Sequence, residues 1–461
     1  MNHRPPRAPG LSRHAVILAA IFILLHTEVS AGFSTTPEDR RSLDLGGSLR
    51  TYTAGIRTPD QDLLSGKDDE YGGLSQTLLR LTAGGSLGAS GSYEAHIVGG
   101  MDFSTGTSSR QLSGAGISTT GITRYRVTNP AWNWVDDHDV RVFFTADRLN
   151  VKHTFSSVDL TLGRQAVNFS QAYFWNPLDV FVPFDPSAFD RDYKAGVDAL
   201  RMDINLGSFS SLTVVGAPGR KLDIGYGSEG AEVRAEGFGD DLWYASALMA
   251  RYRTTLSDWD ISLQSGKVYG GYQAGAGCSG EAGPLGLRGE AAYFSARGES
   301  TAVIPDAGYP GGLRPVDLVE DHFSLVLGAD HRFDSSLYLN IEYFFNGAAD
   351  DGDLAKGVLR TAIGETLSLS EHLAGIQVSY EFHPLMTGQA SWIFSLSDAS
   401  SLISPTMIFS VADEADFIAG AMVSYGEGPE KQGAGESAVI EPKSEFGTYP
   451  DVVFMEFKFY F

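Results

Sequence analysis

Cysteine is almost absent from these 461 residues: Cys278 stands alone. An intramolecular disulfide is therefore excluded, and with it the small disulfide-stapled extracellular module. No metal-ligand spacing accompanies the thiol, and Cys-x-x-Cys-His is missing. Neither a metal nor a covalent c-type haem is expected, and no other cofactor is indicated. Long apolar runs are equally scarce. Past Leu25 nothing is continuous enough for a transmembrane helix. Basic residues are few, 34 Lys and Arg against 57 Asp and Glu, so no surface for nucleic acid is expected. Pro/Ser-rich linkers and breaks in composition are also lacking. That argues for one domain, although the length alone would suggest two or three.

What is present shows first at the two ends. Arg4, Arg7 and Arg13 precede an apolar run from Ala15 to Leu25, and Val29-Ser30-Ala31 supplies the small residues of a cleavage step. Residues 1–31 read as a secretory signal peptide cut after Ala31, its apolar run too short to span a bilayer. The remaining 32–461 keep 31 basic and 56 acidic residues, a net charge of −25 once Arg4, Arg7, Arg13 and Glu28 are left out. At the other end, Val453, Met455, Phe457, Phe459 and Phe461 recur at every second position, with Glu456, Lys458 and Tyr460 between them. Strand side chains alternate between faces, so one face is greasy and the other charged. This alternation, closed by a terminal Phe, resembles the assembly signal of Gram-negative outer-membrane β-barrels. The resemblance implies a barrel in the outer membrane, Phe457, Phe459 and Phe461 toward lipid, and recognition by the barrel-assembly machinery.

The same period-two pattern runs along the chain. About 18 strands are expected between residues 43 and 461, the weakest at 210–216 and 403–411; without those two the count is 16. Within 336–347, Leu337, Leu339, Ile341, Tyr343 and Phe345 share one face, opposite Asn340 and Glu342. The segment 139–155 changes phase between Ala146 and Leu149, which predicts a β-bulge. Connections mostly alternate in length, although two that the alternation would make long, near Val268 and at Asp398–Leu402, are short. Short ones fall at Gly88–Ser90, Ser156, Glu281–Pro284 and Asp334–Ser335, whereas 55–73, 104–138, 166–194, 217–240, 297–320, 348–370 and 426–449 are long. An all-β transmembrane antiparallel barrel with short periplasmic turns and long extracellular loops accounts for this rhythm. The 54 glycines suit a chain of many strands and turns.

The third long connection, 166–194, is aromatic where a solvated loop would be polar, from Phe169 and Tyr173-Phe174-Trp175 to Phe181 and Phe184. Apolar loop residues need shelter, and the barrel interior is the nearest. In ordinal position, length and aromatic content it resembles the inward-folded third loop of porins with 16 or 18 strands. That likeness implies a pore narrowed by the loop, with Asp179, Asp185, Asp190, Arg191, Asp192 and Lys194 at the constriction. Strand parity puts Arg50, Arg80, Arg201, Arg251, Arg253 and Arg288 on the lumen side. Asp203, Glu290, Asp330, Glu342, Glu381 and Glu456 share that side. Neighbouring opposite charges, such as Arg288 and Glu290, could simply form a ladder, and the acidic excess predicts mild cation preference.

Gly163-Arg164-Gln165, Asn176-Pro177-Leu178-Asp179, Arg191 to Gly196 and His383-Pro384-Leu385 are also similar to a pattern in alginate-export-type and related porins. The mixed lumen charges depart from an Arg/Lys-lined conduit for a polyanion. Enzymatic readings lack support. The histidines are scattered, and the Ser of Gly84-Gly85-Ser86-Leu87-Gly88 lies in a strand rather than at a nucleophile elbow. Asp350-Asp351-Gly352-Asp353 lacks the spacing of a calcium hand loop. The function expected is passive diffusion of small hydrophilic solutes or ions. The other readings are a polysaccharide or other export channel, or the barrel sheath of a porin–cytochrome conduit. Expected partners are outer-membrane lipid and lipopolysaccharide, the assembly machinery and, by porin analogy, two further copies in a homotrimer.

Overall fold

The computed structural model describes residues 42–58, 71–105, 124–128, 131–137, 139–188, 191–227, 230–235, 238–239, 241–298, 300–305, 308–310, 312–350, 352–432 and 439–461. Ala31 and Asp190 lie outside the described residues, as does the whole of the expected signal peptide.

The first strands are β1 (Asp44–Arg57), β2 (Tyr71–Leu87), β3 (Gly91–Thr105), β4 (Ala131–Asp136), β5 (Val140–Phe155), β6 (Val158–Gln165), β7 (Val197–Asn205) and β8 (Ser210–Ala217). A hairpin of β9 (Leu222–Gly227) and β10 (Gly230–Ala235) precedes β11 (Ala247–Leu256), β12 (Trp259–Val268), β13 (Gly271–Ala282) and β14 (Leu285–Ala296). A second hairpin, β15 (Thr301–Pro305) and β16 (Leu313–Asp317), leads to β17 (His322–Arg332), β18 (Tyr338–Asn346), β19 (His372–His383) and β20 (Met386–Ser395). Then come β21 (Ser401–Ala412), β22 (Ala415–Tyr425), a small hairpin of β23 (Glu430–Gln432) and β24 (Val439–Glu441), and β25 (Asp451–Tyr460). Apart from β4 and the three hairpins, these strands make one wall of 18, each antiparallel to the wall strands before and after it. β1 pairs with β25 from Ser48↔Tyr460 to Arg57↔Asp451, so the sheet has no edge. The segments 210–216 and 403–411 are both wall strands, which settles the count at 18 rather than 16.

Alternation sorts the side chains as a membrane barrel requires. On β25, Val453, Met455 and Phe457 are exposed on the outside, while Val452, Phe454, Glu456 and Lys458 are buried on the inside. Leu81, Ile97, Leu149, Leu162, Leu263 and Leu327 extend the exposed apolar outer face around the wall. A water-soluble protein would bury such a continuous patch. Cys278 also lies exposed on the outer face.

Tight turns close one end. Gly88 (φ 75°) and Gly283 (φ 63°) sit in them with left-handed backbone that residues with a Cβ adopt less readily. The bulge falls where the phase change placed it. The β3–β5 register steps from His96↔Arg148 to Ile97↔Ala146, so Asp147 is the extra residue. Asp147 and Arg148 then both reach partners on the inner side.

The long connections contain more regular structure than the sequence indicates. Besides the hairpins and β4 they carry α1 (Leu242–Ala245) and α2 (Leu354–Ala362). Each is too short to leave a periodic signal. One residue of the acidic run at 350–353 serves α2. Asp353 accepts from the Lys356 amide at 3.1 Å as its N-cap and pairs with Arg314 at 2.5 Å. No cluster of metal-binding side chains occurs among the described residues.

Candidate functional site

Carboxylates on the inner face of the wall receive the main chain of the 166–194 connection. Glu342, on β18, is wholly buried and accepts the amides of Tyr173 at 2.6 Å and Phe174 at 2.7 Å. Glu290, on β14, is 1% exposed and accepts the Gln171 amide and those of Ala172 (3.2 Å) and Leu178 (3.5 Å). Five loop amides that belong to no helix or strand are thus satisfied by two wall side chains. Buried amides demand such partners. Neighbouring wall residues take the loop's carbonyls: Gln264 donates to Leu178 O at 2.8 Å, Gln273 to Pro177 O at 3.1 Å, and Arg251 to Phe169 O.

Apolar loop side chains follow the same path. Trp175 stacks on Phe344 of β18 with centroids 5.4 Å apart, and Phe174 packs among Val326, Leu373 and Phe454. On the other side of the interior, Phe169 and Phe181 join Val197, Val215 and Met249. Gly375 makes room for Phe174; a Cβ there would come within 2.6 Å of its ring.

Of the six loop charges, the five among the described residues divide. Asp179 and Lys194 are buried and paired with each other. Burial pushes the Asp179 carboxyl up and the Lys194 ammonium down, against their mutual attraction. Asp185 accepts from the Ser187 amide at 2.7 Å and closes a local turn. Arg191 donates to the carbonyls of Tyr173 and Pro186 and lies over the Tyr173 ring, so it ties the two limbs of the loop together. Asp192 reaches the far wall, accepting from Lys458 at 2.7 Å and standing 3.6 Å from Arg50.

The wall charges expected on the lumen side share the inward parity. Arg50 donates to Glu456 at 2.8 Å, Arg80 to Asp147 at 2.7 Å, and Arg201 pairs with Asp203 at 2.7 Å. Arg288 differs from the expected ladder. It reaches Asp330, Asn340 (3.0 Å) and Glu342 (3.6 Å) on β17 and β18, because cross-strand neighbours lie closer than its own strand's Glu290, which the loop amides occupy. Arg253 and Glu381 are exposed toward the turn end.

This interior belongs to a closed 18-strand wall with tight turns at one end and long loops at the other. Solved structures share that plan. Pseudomonas aeruginosa OccD3 (OpdP) matches with a TM-score of 0.50 at 10% identity, over 93% of this chain and 94% of that one. Acinetobacter baumannii OccAB4 matches with a TM-score of 0.51 at 9% identity, over 92% and 100%. Both are outer-membrane porins. The chain has the fold of a Gram-negative porin. No protein-family model matches the sequence, and no curated protein matches it in sequence.

The porin-type interior also holds residues that the sequence reading passed over. Arg126, from the second long connection, stands 3.3 Å from Asp147 and donates to Gly196 O at 2.8 Å. Glu94 takes Arg148 at 3.0 Å and Asn150 at 3.0 Å, and these hydrogen bonds with His96 place it on the inner face of β3. Tyr193 lies under the Arg80 guanidinium at 4.0 Å. The bulge was the available signal for this cluster. A phase change turns two consecutive residues inward, and here both are charged.

Proposed function

We propose that this chain is a passive channel of the Gram-negative outer membrane, narrowed by the 166–194 loop folded into the barrel. Small hydrophilic solutes or ions cross the remaining aqueous path and are sorted by size and charge. The observation that carries the proposal is the set of loop amides held by Glu290 and Glu342 on the inner wall. A loop lying over the outer mouth would leave both carboxylates facing the aqueous lumen and those loop amides in need of other partners, so these contacts favour the inward fold. The exposed apolar belt supports a lipid-facing outside, and the porin-type wall supports a non-enzymatic role.

In this reading residues 1–31 are removed after Ala31 on export, and 32–461 form one barrel domain. The assembly machinery reads Phe457, Phe459 and Phe461, lipid and lipopolysaccharide contact the outer face, and the barrels associate as a homotrimer. Asp192, with Lys458 and Arg50, borders the eyelet. Arg80, Arg126, Arg148 and Glu94 line its polar side. The loop contacts favour this over the sheath of an electron conduit, whose lumen has to be clear for its partner.

Single-channel recording of the refolded protein under a salt gradient tests the proposal. Small, stable, weakly cation-selective steps are expected, and shortening Phe174–Phe184 should enlarge them several-fold. One large unselective conductance in the intact chain, unchanged by the shortening, would reject the constriction.

A further inference from the structure

Between the inward loop and the loop end of the barrel lies a cavity of about 130 Å³. A single buried water needs roughly 10–15 Å³, and each water in liquid takes about 30 Å³, so the space holds several waters, or one six-membered ring with its substituents. Trp175 and Asn176 of the 166–194 loop form its floor, and Phe294, His322 and Phe344 form the wall beside them. Arg124, Tyr125, Glu365 and Thr366 come from two other connections.

The chemistry of this lining is nearly neutral. Arg124 and Glu365 pair with each other at 2.9 Å, Arg124 also covers the Tyr269 ring at 4.2 Å, and Asp179 is held by Lys194. Among the described lining residues no unpaired charge is left to select an ion. What remains is rings and neutral hydrogen-bonding groups. The Trp175 indole N–H is fully buried and has no hydrogen-bond partner among the described residues. His322 stacks on Phe294 at 5.0 Å, and its Nδ1 lies 2.9 Å from Glu320 O. A carbonyl only accepts, so Nδ1 carries the proton and Nε2 is an acceptor. An orphan donor and an acceptor set among aromatic faces match a solute that offers both hydroxyl lone pairs and hydroxyl protons on an apolar ring skeleton.

We propose that this cavity is a binding site for an uncharged polyhydroxylated ring of monosaccharide size, held above the constriction before it crosses. The inference rests on the channel reading for its place in transport, though binding itself does not require conduction.

Calorimetry on the folded full chain in detergent, with D-glucose as probe and succinate and phenol as charged and apolar controls, tests it. Saturable glucose binding is expected, with weaker heats from both controls. Trp175→Phe should weaken it about tenfold, the effect of one lost neutral hydrogen bond in a buried site. His322→Phe, which keeps the ring stack, should do likewise, so the test survives if one variant fails to fold. No glucose binding, binding indifferent to both substitutions, or tighter binding of succinate or phenol would overturn the proposal. Conductance is recorded in parallel. Glucose binding without channel steps would retain the site and remove the channel, whereas steps without binding would do the reverse.

Discussion

Glu342 shows how much one side chain decides in this barrel. It is a charged residue with no solvent, and its neighbours are two loop amides and Arg288. Glu342→Gln keeps the shape but replaces one acceptor oxygen with a donor that faces N–H groups. Two charge-assisted bonds are weakened, about 3 kcal/mol in all. The Tyr173 and Phe174 amides should then exchange with deuterium about a hundredfold faster, and unchanged exchange would mean that the loop is held elsewhere. Glu445, in the connection before β25, offers a pH test. Burial, assisted by the nearby Asp398 carboxylate, pushes it up from 4.5 to about 7. A carboxyl that holds its proton more tightly when folded contributes stability that is complete below 4.5 and lost as the pH rises through about 7. The urea midpoint should fall across that window, and Glu445→Gln, which still accepts from Leu369 and Ser370, should flatten the fall.

At the scale of elements, the wall strands were legible because their period is two and their lengths exceed eight residues in nearly every case. Loop-borne elements were not. α2 is stabilised by its Asp353 cap and by contacts of Lys356 and Arg360 with Glu320, residues distant along the chain. Asp353→Ala removes the cap and the Arg314 partner together. A local loss of about 1 kcal/mol is expected, read as faster amide exchange in residues 354–362 with the wall strands unaffected. Exchange that rose equally in the wall would show that the helix and barrel unfold as one unit.

At the scale of the whole molecule, closure is the decisive event. The Gly47 amide donates to Phe461 O at 2.8 Å and the Phe461 amide to Gly47 O at 3.0 Å, beyond the last paired residue of β25. The Phe461 ring lies over the Gly47 Cα, where a Cβ would come within 2.5 Å of it. Gly47→Val should therefore strain the seam by about 1–3 kcal/mol. Urea unfolding in lipid vesicles would reveal it, and a midpoint equal to the parent's would place the strength of closure in the β1–β25 ladder alone.

The alternation of β25 and the inward parity of the charges were determined by the sequence, because a strand has only two faces and one of them is apolar, whereas the choice of 18 strands over 16 was made by the pairing of 210–217 and 401–412 into the wall. The bulge at Asp147 was legible for the same reason, as a break in that alternation. Which charge meets which was decided only by the tertiary structure. Register across neighbouring strands brings Arg288 to Asp330 and Glu342 instead of Glu290. The loop charges illustrate it further. Spacing along 179–194 cannot separate Asp179, buried against Lys194, from Asp192, which reaches Lys458 266 residues away. Pairing at that distance depends on closing the wall first, and closure is a property of all 18 strands together.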